Sequence, residues 1–278
     1  MSNELTVISA GPLGVIHVVG DDALTFLQGQ ATPDLRKLAK GDSVFAAFCN
    51  AQGRVIANGW FQGIDGGFRL VISQDLIAPL IKRLRMYVLR SKVLVSDESD
   101  HSPLWLVQGS QADLSYQWTI VGPMGIHLIA ANLDVLPKDT HQLHGQSFQL
   151  SLIQTGIPLV NGKTTERFTP HMLSMDYLGG LSFDKGCYTG QEIVTRTQFL
   201  GKVKRSLHRF SSDDSIAVEE GTPLTCSATG ESVGELFTWA HLPNGGTTGL
   251  AVIRNDAIAE TTLEIGGHRI EATSVAGE

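Results

Sequence analysis

The stretch Asp184–Phe199, DKGCYTGQEIVTRTQF, is the densest cluster of chemically capable residues in the chain. Gly186 and Gly190 flank Cys187 and Tyr188, and a helical pattern begins near Gln191 with Ile193 and Val194. Glycines at those positions allow a tight loop that feeds a helix N-terminus. Such a loop would set Cys187 near unsatisfied backbone N–H groups and near the Lys185 ammonium, both of which favour a thiolate or a bound anion. The same residues also fit a plainer role, with Cys187 as a small buried hydrophobe.

Charge gathers around this segment. Residues 184–209 hold Lys185, Arg196, Lys202, Lys204, Arg205 and Arg209 against Asp184 and Glu192, a net of +4. The whole chain carries −7, so the remainder carries −11. A basic stripe on an acidic protein could hold a polyanion or a carboxylate-rich ligand, and it fits a solvated strand face equally well. Aromatic interleaving stops at Tyr188, Phe199 and Phe210, which is thin support for stacking on single-stranded nucleic acid.

The chain has 278 residues, enough for about two domains at ~150 residues each. Hydrophobic residues make up 42% and charged residues 18%, which excludes a disordered chain. The negative total disfavours a general nucleic-acid coat. Three cysteines, Cys49, Cys187 and Cys226, with no C-x-x-C pair, exclude a disulfide framework and a cysteine-rich metal site. The first residues have no basic segment leading into an apolar run, and no stretch approaches the ~18 apolar residues of a membrane helix. The expectation is a soluble cytoplasmic protein with no membrane partner.

Strand-like runs at 13–20, 43–50, 54–62 and 68–72 precede the clearest helix. There Leu76, Ile77, Leu80, Ile81, Leu84 and Val88 recur at helical spacing after Ser73. Asp21 and Asp22 can cap a shorter helix carrying Leu24, Phe26 and Leu27. Further strands are predicted at 92–96, 104–108, 118–121 and 126–130. A helix is predicted over about 143–155, ending at Gly156. Thr169 and Pro170 read as the start of another, with Met172, Leu173, Met175 and Leu178 as its apolar face. After about residue 205, short alternating runs between glycine turns predict an all-β domain. The fold class is therefore α+β.

Other signals lead nowhere. Gly156–Thr164, GIPLVNGKT, has five residues between its glycines where a phosphate-binding loop needs four. His141 and His144 could share a helix face, but the sequence places no third metal ligand.

Four motifs together closely resemble the YgfZ family: Gly156-Ile157-Pro158, Phe168-Thr169-Pro170, Leu178–Phe183 (LGGLSF) and Lys185–Arg196 (KGCYTGQEIVTR). The K-G-C-Y-x-G-Q-E run is the specific part, with Lys185, Gly186, Cys187, Tyr188, Gly190, Gln191 and Glu192. Phe26–Gln30 with Thr32 and Asp34, Asn50–Arg54 (NAQGR) and Leu89–Val93 fit the same pattern. The resemblance spans about residues 13–255. It implies the three-domain architecture of folate-dependent aminomethyltransferases. A discontinuous N-terminal folate-binding domain would cover 1–45 and 140–205. A ferredoxin-like insert would cover 46–139, and a C-terminal β-barrel 206–278.

The resemblance also implies chemistry. Tetrahydrofolate or a one-carbon derivative would occupy a central channel, touching Phe148, Leu13, Gln154, Tyr188 and Arg196. The acidic pair of the transferases falls at Ala57 and Asn58, and neither side chain can do the work of a carboxylate. The implied role is an accessory protein that supports assembly or repair of iron–sulfur enzymes and tRNA modification, with Cys187 as its functional thiol. Its partners would be folate, iron–sulfur enzymes or assembly proteins, and tRNA at the 184–209 stripe. No metal site is expected. Two alternatives stand beside it: a one-carbon transferase using Asp34, Asp176 or Glu192, and a tRNA-binding module.

Overall fold

The computed structural model describes residues 5–276 apart from 102, 109–115, 133, 135, 137–139 and 259–261. The described strands form two five-stranded sheets and a closed six-stranded barrel. The first sheet runs in the order Ser43–Cys49, Val55–Ile64, Gly67–Ser73, Leu13–Val19, Leu94–Asp97, every pair antiparallel. The second runs His141–Leu143, Thr6–Ser9, Leu104–Gln108, His127–Ala130, Trp118–Val121. The chain passes from one sheet to the other within residues 10–12. The Leu13 N–H bonds back to the Ala10 carbonyl at that crossing.

Helix α1 (Ala23–Gln28) and helix α2 (Ile77–Val88) serve the first sheet. The apolar stripe of α2 does what its spacing predicts: Ile77, Leu80, Ile81 and Leu84 are buried in the main core. Each such side chain contributes about 1.5–3 kcal/mol of burial, which outweighs the modest propensity of a twelve-residue helix. Helix α3 (Ser147–Thr155) stops at left-handed Gly156, as the glycine predicts. Helix α4 (Gln191–Phe199) begins where the Gly190 boundary places it.

The barrel strands follow the order Arg205–Ser212, Thr247–Arg254, Ser232–His241, Pro223–Cys226, Leu263–Ile265, His268–Ser274, and the last pairs with the first. This unit has its own core, including Phe210, Leu224, Leu236, Ile253 and Ile265. Closure removes the exposed sheet edges that short strands would otherwise leave. Arg209 ties the barrel to α3 by donating to the carbonyls of Ile153 and Gln154.

Two expectations differ from the structure. Residues 170–178 form a run of hydrogen-bonded turns instead of a helix. Ser174 adopts φ 51°, and the Met175 N–H reaches the Pro170 carbonyl, so the regular i to i−4 ladder never forms. The boundary at 45/46 falls inside the strand Ser43–Cys49, whose partners Val55–Ile64 and Gly67–Ser73 continue the same sheet. The division between the two sheets lies instead at residues 10–12 and between Asp97 and Leu104.

Among the described residues, no helix is long and apolar enough to cross a membrane.

Candidate functional site

The signature loop rests on two other motifs. On one side, the Lys185 Nζ donates to the carbonyls of Ala31 and Pro33, each at 2.8 Å, and lies 5.0 Å from the centre of the Tyr188 ring. The segment that follows α1 is itself pinned. Buried Thr32 donates its hydroxyl to the Gly180 carbonyl at 2.7 Å and accepts from the Ala47 N–H. Three stretches far apart in sequence (the α1 exit, LGGLSF and KGCY) therefore meet around Thr32.

On the other side, α4 starts against the NAQGR turn. Gly190 has φ 86°, and a Cβ there would lie 2.5 Å from the Asn50 carbonyl oxygen and 2.9 Å from the Cys49 Cβ. A Cβ on Gly53, at φ 69°, would meet Ile193 at 2.9 Å. Both glycines are dictated by backbone conformation and by closeness. Asn50 shapes the turn by accepting the N–H groups of Gln52 and Arg54. Gln191 closes the loop by accepting the Tyr188 N–H at 3.2 Å.

This packing leaves Cys187 exposed, whereas Cys49 and Cys226 are buried. Exposure removes the reading of Cys187 as a small core residue. The thiol opens on a cleft of about 320 Å³ lined also by Leu24, Thr25, Gln28, Gly29 and Arg36. Behind it, Asp34 accepts from Arg36 Nε and Nη2, both at 2.8 Å, and from Gln28 Nε2 at 2.7 Å. The Arg36 hydrogen bonds hold the Asp34 carboxyl well below the usual carboxylate range. Arg36 was invisible as a site residue in the sequence. Its only signal is a position two residues after Asp34, where its own N–H and side chain can share that carboxylate.

Lys185 does not act as the thiol's counter-charge. Its ammonium is committed to two backbone carbonyls, and desolvation pulls it down to about 8. Its role is to latch the loop. Tyr188 is 6% exposed, its hydroxyl has no hydrogen-bond partner, and burial pushes its pKa up, so the phenol stays neutral. Burial likewise pushes the Cys49 thiol up to about 12, so that residue is chemically silent at neutral pH.

The residues expected to hold a folate do not gather into one surface. Phe148 is 1% exposed and packs in the main core, and Leu13 is 5% exposed in the same core. Gln154 is exposed at the end of α3, where its carbonyl accepts from Arg209. Tyr188 and Arg196 belong to the Cys187 region, the first buried and the second on the exposed side of α4. A pterin needs an accessible flat face to stack on, and the Phe148 ring offers none here. These residues therefore do not fit a folate in this arrangement.

Asn58 explains itself structurally. It is fully buried, donates Nδ2 to the Pro158 carbonyl at 2.6 Å and accepts the Val160 N–H at 2.8 Å. A carboxylate could accept the second bond but not donate the first. Beside it Ala57 is also fully buried. Of the alternative acids, Asp34 is held ionised by Arg36, while Asp176 and Glu192 are exposed. The basic stripe also shrinks: Lys185 and Arg209 are spent on carbonyls, and Arg196, Lys202, Lys204 and Arg205 remain exposed.

Comparisons with known proteins place this geometry. Residues 204–276 match the family model of the CAF17 C-terminal beta-barrel domain. The chain is 28% identical over 292 residues to the tRNA-modifying protein YgfZ of Yersinia pseudotuberculosis serotype O:1b (strain IP 31758), covering 94% of this chain and 88% of that protein. It is 27% identical over 301 residues to the tRNA-modifying protein YgfZ of Klebsiella pneumoniae (strain 342), covering 96% and 92%. The crystal structure of glycine cleavage system aminomethyltransferase T from Bartonella henselae superposes with a TM-score of 0.76 at 16% identity, covering 98% of this chain and 85% of that one. The resemblance read from the motifs thus holds over nearly the whole chain, and the α+β fold with its terminal barrel is that of an aminomethyltransferase.

Proposed function

From a chain similar to YgfZ proteins along 94% of its length and folded like an aminomethyltransferase, we propose an accessory protein and not a transferase. It supports the assembly or repair of iron–sulfur enzymes, including those that modify tRNA, and it does so through the Cys187 loop. The observation that carries this reading is the exposed thiol on a loop held by Lys185, Gln191 and Gly190, with Ala57 and Asn58 standing where the family resemblance would put an acidic pair. A built loop that presents one thiol to a cleft suits contact with a partner better than a packing role. Protein partners would meet the Cys187 cleft. Arg196, Lys202, Lys204 and Arg205 would give tRNA an electrostatic contact.

The test is complementation of a strain lacking the protein. The wild-type chain restores the activity of iron–sulfur enzymes and the level of modified tRNA, and Cys187→Ala and Cys187→Ser do not. Full restoration by both variants would end the thiol proposal.

Tetrahydrofolate or a one-carbon derivative is the ligand that the family resemblance suggests. With Phe148 and Leu13 enclosed, such a ligand would need a local opening, and no step of this proposal runs through it. Calorimetric titration with tetrahydrofolate tests it. Saturable one-to-one binding weakened by Phe148→Ala supports the inherited ligand, and no heat of binding removes it.

A further inference from the structure

A second cleft, which shares no lining residue with that of Cys187, lies at the far end of the sheet face that carries Asn58. Along Val55–Ile64, Asn58, Trp60 and Gln62 alternate onto one face, and Arg69 sits opposite Gln62 on the next strand. There the second sheet packs across, and a cleft of about 390 Å³ opens among Lys40, Gln62, Arg69, Tyr116, Trp118 and Thr119, with Asp65 at its rim. That volume is within the usual range of small-ligand sites, ~300–1,000 Å³.

The chemistry centres on Arg69. Its guanidinium stacks over the Trp118 ring, 4.2 Å from the ring centre. Its Nη1 donates to Gln62 Oε1 at 2.7 Å, and Nε is buried with no acceptor. Gln62 is not free to adjust. Its amide donates to the carbonyls of Gly41 and Thr119, which fixes Oε1 toward the guanidinium. Among the described residues no carboxylate pairs with Arg69, although desolvation already draws it down to about 10. Arginines taken out of water are normally paired, because an uncompensated charge there is costly. The tryptophan face and one amide oxygen offset only part of that cost. Lys40 adds a second cation at the rim, where its bond to Asp65 is exposed and cheaply exchanged.

We propose that this cleft binds a small organic anion, its carboxylate or phosphate group seated on the Arg69 guanidinium with Lys40 at the rim. The missing counter-charge is then supplied by the ligand, in a frame that Gln62 and Trp118 hold ready beforehand. Tyr116, exposed beside Trp118, gives a flat group attached to that anion something to lie against. This site is independent of the thiol reading.

The test is calorimetry on the full chain at low salt with three probes: inorganic phosphate, adenosine monophosphate and benzoate. One-to-one saturable binding of at least one probe is expected. The ratio of the adenosine monophosphate and benzoate affinities tells phosphate from carboxylate. Arg69→Gln is expected to weaken that binding by about tenfold or more, as loss of a charge-assisted pair does. Lys40→Ala, an exposed change that leaves the fold alone, is expected to weaken it by about two- to threefold. Cys187→Ala should leave it unchanged, and the Trp118 indole N–H resonance should move as the probe is added. No saturable binding of any probe overturns the proposal, as does binding that is equal in wild type, Arg69→Gln and Lys40→Ala.

Discussion

Asn58 Nδ2 donates a 2.6 Å hydrogen bond to the carbonyl of Pro158, one hundred positions further along the chain. The bond fastens the loop after α3 to the second strand of the first sheet. The amide is matched on both sides, so the position serves the fold instead of proton transfer.

Asn58→Asp is therefore expected to destabilise the protein at neutral pH by roughly 2–4 kcal/mol, because a buried carboxylate would face a carbonyl it cannot bond. It should confer no one-carbon transfer. Chemical denaturation at pH 7 and at pH 5 checks this. The variant's deficit should shrink at the lower pH, where the carboxyl can be protonated and donate.

The three thiols should separate cleanly. Cys187 is exposed, Cys226 is buried, and Cys49 is both buried and pushed up to about 12. A thiol reagent such as Ellman's should modify one cysteine in the native protein and three after denaturation. Cys187→Ser should abolish the native reaction.

Lys185 sets a pH dependence with a definite sign. Its folded value of about 8 lies below the usual 10.5, so between those pH values the unfolded chain binds more protons. Stability from this group is lowest below pH 8 and rises as pH climbs from 8 toward 10.5. Lys185→Met should flatten that part of the profile in denaturation midpoints measured against pH. The loss of both carbonyl bonds should also speed modification of Cys187 by the same reagent.

Gly190→Ala combines a left-handed backbone with a Cβ 2.5 Å from the Asn50 carbonyl. A cost of about 1–3 kcal/mol is expected from the conformation alone, with more from the contact. Thermal unfolding gives the size. Loss of complementation by a variant that still folds would tie the loop's shape to its task.

The parts that were readable in the sequence are those in which local pattern and tertiary packing agree. The stripe from Leu76 to Val88 is a helix on any reading, and Gly156 and Gly190 mark real boundaries because few residues tolerate their conformations. The turns at 170–178 were not readable. Thr169-Pro170 and an apolar spacing of three and four look helical, whereas in the fold the Gly180 N–H turns back to the Met175 carbonyl and Gly180 packs close to the distant Phe45 carbonyl. Within the candidate site, the glycines and Gln191 were identifiable. The partners of Lys185 were not, because they are backbone carbonyls about 150 residues away. Phe148 shows the opposite limit: an aromatic on a helix reads the same whether it stacks on a ligand or fills a core.

The strand Thr6–Ser9 has its parallel neighbour at His141–Leu143 and its antiparallel one at Leu104–Gln108. During synthesis the first strand therefore emerges long before either partner exists. The neighbouring sheet, from Leu13 to Asp97, is complete once its last strand has left the ribosome, and the barrel from Arg205 to Ser274 draws on no earlier strand. The chain thus assembles as a sheet, then a second sheet sewn back to the beginning, then a barrel. The strand Thr6–Ser9 waits through 95 residues, from Ser9 to Leu104, as an unpaired edge, the stage at which chaperone capture or misassembly has its longest opportunity.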